Sequence, residues 1–461
     1  LVDYEEACPT SEAFEIAKTA GSAFMSSRND YENAKDDFQK AYDMCSNDPE
    51  TLIYLNNAKI GSNRAYNVAI PVPISGGDIG NALMMLRGFS QAQDIINNSG
   101  GIAGVSLRLL IVDDNDAQAT ARQIANSIVG SDFSAVLGHW SSDTSKAAAE
   151  IYSQSALTFI APISIFDKLG DYTPYVFRLN ATSAKGIEEL KKYILNELTN
   201  QQELFIFFDS INPYTAELKE KLAKSLGDRF SRNSIEFTDF NSQFQMQSDT
   251  LAESLIDAVE NRNPLIVFFP SNKSAKRALE VIKEVRAINS EVLVVGDMAN
   301  LYIAETLNDE IIENSANSYT EGMVLAPAWN IDASRSSIFV RAIENIDSLK
   351  DEYPHLEAPY WQGSDVNYAA ALSYTALESI SEAIKTAVQE NSNPTRADIA
   401  EALVKSDFEV NGAFQEPITF RKTGESTIAI QLVRVCPTQE NNSSKLKFKP
   451  ISLDSPQCPL D

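Results

Sequence analysis

Histidine is nearly missing from this chain, with only His139 and His355 among 461 residues. With so few groups that titrate near neutral pH, acid–base catalysis has little to work with. Cysteine is scarce too. Cys8 and Cys45 lie near one end, Cys436 and Cys458 near the other, and none lies between. No pair has metal-ligand spacing, so no zinc site is expected. Two local disulfides, Cys8 to Cys45 and Cys436 to Cys458, fit an oxidising compartment, with four free thiols as the competing reading. No apolar run reaches the ~18 residues that a membrane-spanning helix needs. Cations are also in deficit: 38 Lys and Arg against 64 Asp and Glu leave a formal net charge of −26. Nucleic acid and anionic membrane surfaces demand clustered Lys and Arg, so neither is expected as a partner. The chain opens on Leu1-Val2-Asp3-Tyr4 without a methionine. Loss of a signal or anchoring segment is the expectation from that start, with a periplasmic or extracellular location that such a segment would have anchored to a membrane.

What is present is alternation. A chain of this length exceeds one compact core, so two or three domains are expected. Residues 1–62 form a helical segment, with Ala13, Ile16, Ala17, Ala20 and Phe24, then Ala34, Phe38, Ala41 and Tyr42, at helical spacing. Asn47-Asp48-Pro49-Glu50 opens a third helix. This segment resembles one tetratricopeptide unit, which cannot bury its own face and should pack on the main body or on a partner. From residue 66 onward, short apolar strands such as Asn67–Val72, Leu204–Phe208 and Leu265–Phe269 alternate with amphipathic helices. The fold class is therefore α/β, with two Rossmann-like lobes, each built on a parallel sheet covered on both faces. A Gly-bearing hairpin is expected around Thr423-Gly424-Glu425. Ligands in such sheets bind beyond the carboxyl ends of the strands.

Several strings at those strand ends have the residue types of a site. Ser75-Gly76-Gly77-Asp78-Ile79-Gly80 fails the dinucleotide spacing and has no following Lys, so a tight turn is preferred to a phosphate site. Asp113-Asp114-Asn115-Asp116 fails as a calcium loop, because Gln118 and Ile124 stand where Gly and Glu are required. Acids there are expected instead to stabilise the N-terminus of the next helix. His139, Ser141, Ser142 and Asp143 contain the types of a hydrolase triad, but no nucleophile elbow occurs in the chain. Ser141 and Ser142 stand just before a helix. They form either a carboxylate receptor of hydroxyls and free N–H groups or a plain helix cap. Asp297 comes directly after a buried strand and either pairs with a ligand ammonium or caps the next helix. No enzyme, cofactor or metal emerges from these residues.

In order, Ile74-Ser75-Gly76, Asn98-Ser99-Gly100-Gly101-Ile102, Asp113-Asp114, Gly138-His139 with its serines, Glu321-Gly322-Met323 and Tyr368-Ala369-Ala370 resemble the type I periplasmic binding proteins of the leucine/isoleucine/valine family. The resemblance covers about residues 66–435. It implies two lobes joined by a three-crossover hinge, with lobe I at 66–178 and 327–410 and lobe II at 179–326 and 411–450. It also implies a substrate-binding protein of an ABC importer that closes on a free amino acid, aliphatic or broader, and hands it to a membrane permease. Ser142, with Ser141 beside it, matches the serine that binds the ligand carboxylate. Ser164 falls on a backbone-contact position, and Ile165 stands where threonine is usual. Tyr214 matches a tyrosine of the second lobe, Asp297 matches the acid of the ammonium site, and a further family tyrosine falls near Asn272. Trp140, beside the serines, is a candidate wall for the ligand side chain or else packed core. The competing functions are a sensor ectodomain of the same fold and an amide- or urea-binding protein.

Overall fold

The computed structural model describes residues 11–76, 79–197, 203–226, 232–237, 249–271, 273–297, 300–302, 304–307, 318–356, 359–361, 366–440 and 443–459. In chain order the helices and strands begin with α1 (Glu12–Ala23), α2 (Tyr31–Met44), α3 (Pro49–Ile60), β1 (Ala65–Val72), α4 (Ile79–Asn98), β2 (Ser106–Asp113) and α5 (Gln118–Val129). Next come β3 (Ala135–Leu137), α6 (Ser142–Gln154), β4 (Thr158–Ala161), β5 (Val176–Arg178), α7 (Ser183–Glu197), β6 (Leu204–Phe208), α8 (Pro213–Leu226), β7 (Arg232–Glu236) and α9 (Asp249–Asn261). The chain continues through β8 (Leu265–Phe269), α10 (Ala275–Ile288), β9 (Leu293–Gly296), β10 (Val324–Leu325), α11 (Ile338–Glu344), α12 (Tyr368–Glu390), α13 (Arg396–Leu403), β11 (Leu432–Glu440) and β12 (Ser443–Ile451).

These elements divide into two compact units, Leu1–Ala181 with Ala333–Ile428 and Thr182–Asp332 with Ala429–Asp461. The main chain therefore passes between them three times. The unit boundaries differ from those expected. Residues 327–332, assigned from sequence to lobe I, fall in the second unit, and residues 179–181 and 411–428, assigned to lobe II, fall in the first. There the Ala413 N–H donates to Thr375 Oγ1 at 2.9 Å. Phe420 packs edge-on against Phe177, and Glu425 pairs with Arg178 at 2.9 Å. The expected hairpin around Gly424 shrinks to one antiparallel bridge, Phe420 to Ser426. The long hairpin lies further on, where β11 and β12 pair antiparallel from Leu432–Ile451 to Glu440–Ser443.

The first unit holds a five-stranded sheet of order β2-β1-β3-β4-β5, parallel throughout. Its inner strands are apolar runs buried on both faces, as in Thr158–Ala161, where all four residues are buried, whereas the edge strand β2 is only partly buried. The second unit holds a seven-stranded sheet of order β12-β11-β10-β9-β8-β6-β7. Its central strands, LFIFF and LIVFF, are buried at every position. Phe207 stacks on Phe268 there, ring centroids 4.8 Å apart.

The N-terminal helices belong to the first unit and pack through α3 on α4 and β2. Polar side chains make that joint: Asn57 Nδ2 donates to the Leu109 carbonyl at 2.7 Å, and Asn56 Nδ2 donates to Asp94 at 3.0 Å. Tyr360 also donates to Asp94, at 2.6 Å. Asp48 caps α3 and, with Glu50, holds the buried Lys18 ammonium at 2.7 and 2.8 Å. Cys436 and Cys458 form a disulfide. Cys45 is disulfide-bonded as well, and its expected partner Cys8 lies outside the described residues.

Candidate functional site: the carboxyl edges of the two sheets

In the first sheet β1 lies between β2 and β3, so the winding reverses between β1 and β3. Loops leaving such a switch point diverge and open a crevice at the strand ends. Three cross-braces hold the loops there. Asp113, ending β2, takes hydrogen bonds from the Ser75 hydroxyl beyond β1, from the Ser75 N–H at 3.2 Å and from the Asn115 N–H at 2.9 Å. Partial burial raises its pKa, but these bonds, with one from the Ile74 N–H, outweigh that and hold the carboxyl below its ordinary value. Asp114 reaches the other way, to His139 Nδ1 at 2.7 Å, and both side chains are fully buried. His139 Nε2 lies 3.3 Å from the Tyr152 hydroxyl. The acids thus brace loops. The N-cap of α5 is Ala117, which has no side-chain hydrogen bond to offer the helix.

Gly138 makes the turn out of β3. It adopts φ +156°, and a Cβ there would lie 2.3 Å from the Pro71 carbonyl oxygen. The chain then enters α6 with Ser141 as N-cap, its Oγ accepting from the Thr144 N–H at 3.2 Å and lying 2.9 Å from Thr144 Oγ1. Ser142, the first residue of α6, is placed differently. Its Oγ accepts from the Ser164 hydroxyl at 3.1 Å and from the Ile165 N–H at 3.4 Å, which ties α6 to the loop after β4. The N–H groups of Ser142 and Asp143 have no acceptor among the described residues. Two free N–H groups, a hydroxyl with its proton to give and the positive end of a helix make a carboxylate receptor. Trp140 is buried and packs on Tyr368, ring centroids 6.4 Å apart.

The second sheet is built by the same rule. β6 lies between β7 and β8, so its winding reverses between β6 and β8. Tyr214 lies in the first turn of α8, its N–H bonded to Asn212 Oδ1 at 3.0 Å. Asp297 comes after β9, one strand away from that switch point, and is fully buried. Its carboxylate accepts from the Asn300 N–H at 3.2 Å, Asn300 Nδ2 at 3.0 Å and the Leu301 N–H at 3.1 Å. These donors belong to the turn after β9, not to a helix described there. Sequence reasoning passed over Asp209, the residue after β6, which takes a 2.8 Å hydrogen bond from Ser271 beyond β8. Only an acid directly after an apolar strand hinted at it. Asn272 lies outside the described residues. Ser141, Ser142, Ser164, Ile165 and Trp140 stand together at the edge of the first sheet; Tyr214 and Asp297 belong to the second unit.

Residues 65–440 match the model of a periplasmic binding protein family. The chain belongs to the periplasmic binding proteins. This family is non-enzymatic, and its members bind solutes. Among curated relatives, the leucine-specific-binding protein of Salmonella typhimurium is 24% identical over 292 residues, which is 63% of this chain and 72% of that one. Among solved structures, the branched-chain amino acid transporter substrate-binding protein of Streptococcus pneumoniae, in complex with isoleucine, aligns with a TM-score of 0.59 at 16% identity. That alignment covers 84% of this chain and all of the other. A solute-binding protein of an ABC transporter from Rhodopseudomonas palustris, in complex with 3,4-dihydroxybenzoic acid, aligns at 0.62 and 14% identity, covering 84% and 96%. As a periplasmic binding protein, the chain is a two-lobed α/β protein, and among its described residues no helix is long and apolar enough to cross a membrane.

Proposed function

We propose that this chain binds free amino acids, aliphatic ones above all, by closure of its two units, and delivers them to the permease of an ABC importer. The observation that carries the reading is the α6 N-terminus, where the free N–H groups of Ser142 and Asp143 stand beside the Ser142 hydroxyl at a topological switch point. Relatives named for leucine and for branched-chain amino acids support the ligand class. Contacts made only in the closed state are what shift a hinge toward closure. A thermal-shift panel of the common amino acids tests this. Ligand at 100 times Kd adds about 2.7 kcal/mol of stability. If no amino acid raises the melting temperature, the ligand class is wrong.

A second reading has its own support. Trp140 against Tyr368 offers an aromatic wall near the carboxylate receptor, and Asp297 is already occupied by N–H donors. A carboxylate without an ammonium, such as an aromatic acid, would suit both features. Benzoate and 3,4-dihydroxybenzoate added to the same panel decide between the two. Service as a sensor ectodomain would use the same ligand site, and co-purification with a permease separates that role from import.

A further inference from the structure

We propose that Arg178 is a positioning residue for ligand binding: through the segment 163–167 it aims the Ser142 hydroxyl, and through Glu425 it ties that aim to two of the three passages of the main chain between the units. This rests on the reading of the α6 N-terminus as the receptor of a ligand carboxylate. A hydroxyl has two lone pairs and one proton. Ser142 Oγ accepts from the Ser164 hydroxyl and from the Ile165 N–H, so both lone pairs are taken and one direction is left for the proton. Where Ser164 and Ile165 stand therefore decides where that proton points.

These two residues lie in a segment held at both ends by the residues that follow β5. Asn180 Nδ2 holds its start, donating to the Ile163 carbonyl at 2.8 Å. Arg178 Nη1 holds its end, donating to the Phe166 carbonyl at 2.6 Å and to the Asp167 carbonyl at 3.3 Å. Arg178 Nε joins the two holds by donating to the Asn180 carbonyl at 3.3 Å. A planar fork of donors can serve these acceptors together, whereas a single ammonium cannot.

The guanidinium is buried, and its charge is met by Glu425, 2.9 Å from Nη2. A cation out of water needs such a partner. Further bonds fasten the same stretch of chain. The Arg178 N–H donates to the Gly424 carbonyl at 2.8 Å, the Ser426 N–H donates to the Arg178 carbonyl at 3.0 Å, and the Ser426 hydroxyl donates to the Leu179 carbonyl. The main chain leaves the first unit after Ala181, just beyond Arg178, and after Ile428, just beyond Glu425. One guanidinium thus stands at the head of two passages and at the end of the segment that orients the receptor. A change of backbone angle at either passage bears on Ser142 through an unbroken run of hydrogen bonds.

Calorimetric titration with L-leucine, L-isoleucine, L-valine, L-phenylalanine and benzoate, all of them carboxylates, tests the proposal. Arg178→Lys keeps the charge but loses the fork. Glu425→Ala removes the tether at a side chain that is 26% exposed, where water can take its place. Each should lower affinity about tenfold for every ligand that the wild type binds. The decisive readout is the Ser142→Ala background, where the hydroxyl is gone and neither change should cost further affinity. Arg396→Lys is the control, because that guanidinium also holds three carbonyls in the first unit, those of Phe133, Val129 and Ser131, but none of the segment 163–167. It should lower the melting temperature and leave affinity unchanged. If Arg178→Lys and Glu425→Ala leave affinity unchanged as well, the proposal is overturned while the ligand reading stands. It is overturned equally if their loss is as large in Ser142→Ala as in the wild type, the mark of a general loosening of the fold. Should the wild type bind none of the five, the carboxylate reading fails and the proposal falls with it.

Discussion

Neighbouring serines at the start of α6 have different work to do. Ser141 is spent on capping, whereas Ser142 holds the loop after β4 and keeps a proton to donate. Ser142→Ala should weaken amino acid binding roughly 10- to 100-fold, as expected for one hydrogen bond to a carboxylate, and calorimetry would measure it. Ser141→Ala should instead lower stability by about 1 kcal/mol through loss of the cap. Behind them, Asp114→Ala would leave the buried His139 ring without its 2.7 Å partner. A loss of about 1–3 kcal/mol in urea unfolding is the expected outcome. Asp113 has a lowered pKa in the folded chain, so its braces stabilise above the ordinary aspartate value and are lost as pH falls through the lower one. Ser142 was legible from sequence because its role depends on local facts, a strand end and a helix start. The bond between Asp209 and Ser271 was not, because its two ends lie 62 residues apart in the chain.

Among the elements, α4 and α12 cross with backbones in contact at Gly88. A Cβ there would lie 2.0 Å from the Ala370 carbonyl oxygen and 2.7 Å from the Tyr374 nitrogen. Gly88→Ala must push two helices apart, and a loss of at least about 3 kcal/mol in thermal unfolding is expected. The N-terminal helices depend on a different device. Burial lowers the Lys18 pKa, but Asp48 and Glu50 outweigh it and raise it above the ordinary lysine value. The triad therefore stabilises fully below that value and loses its contribution as pH rises through the raised one. Lys18→Met leaves two buried carboxylates uncompensated, a cost of about 3–5 kcal/mol. Faster hydrogen exchange confined to α1–α3 would locate the damage. Helices 11–60 were visible as amphipathic periods, and their seat on α4 and β2 met the expectation that such a segment must pack somewhere. Which surface it chose was hidden, since Asn56, Asn57 and Asp94 reveal their pairing only in space.

For the molecule as a whole, the disulfide Cys436–Cys458 closes a short loop on the hairpin of the second unit. Cys458→Ser should cost about 3 kcal/mol in that unit, and melting monitored with and without reductant would show it. The sequence by itself determined the α/β class, the strand-to-helix order, the deficit of catalytic groups and the family to which the chain belongs. Each is written in local pattern: buried strands are apolar at every position, helices repeat at 3.6 residues, and Gly138 must be glycine where it meets Pro71. Only the tertiary structure decided that residues 411–428 belong with the first unit, that Asp113 and Asp114 brace loops, and that Asp209 meets Ser271. Those outcomes depend on partners far apart in the chain, and hydrogen-bonding capacity is shared out only after the strands have paired.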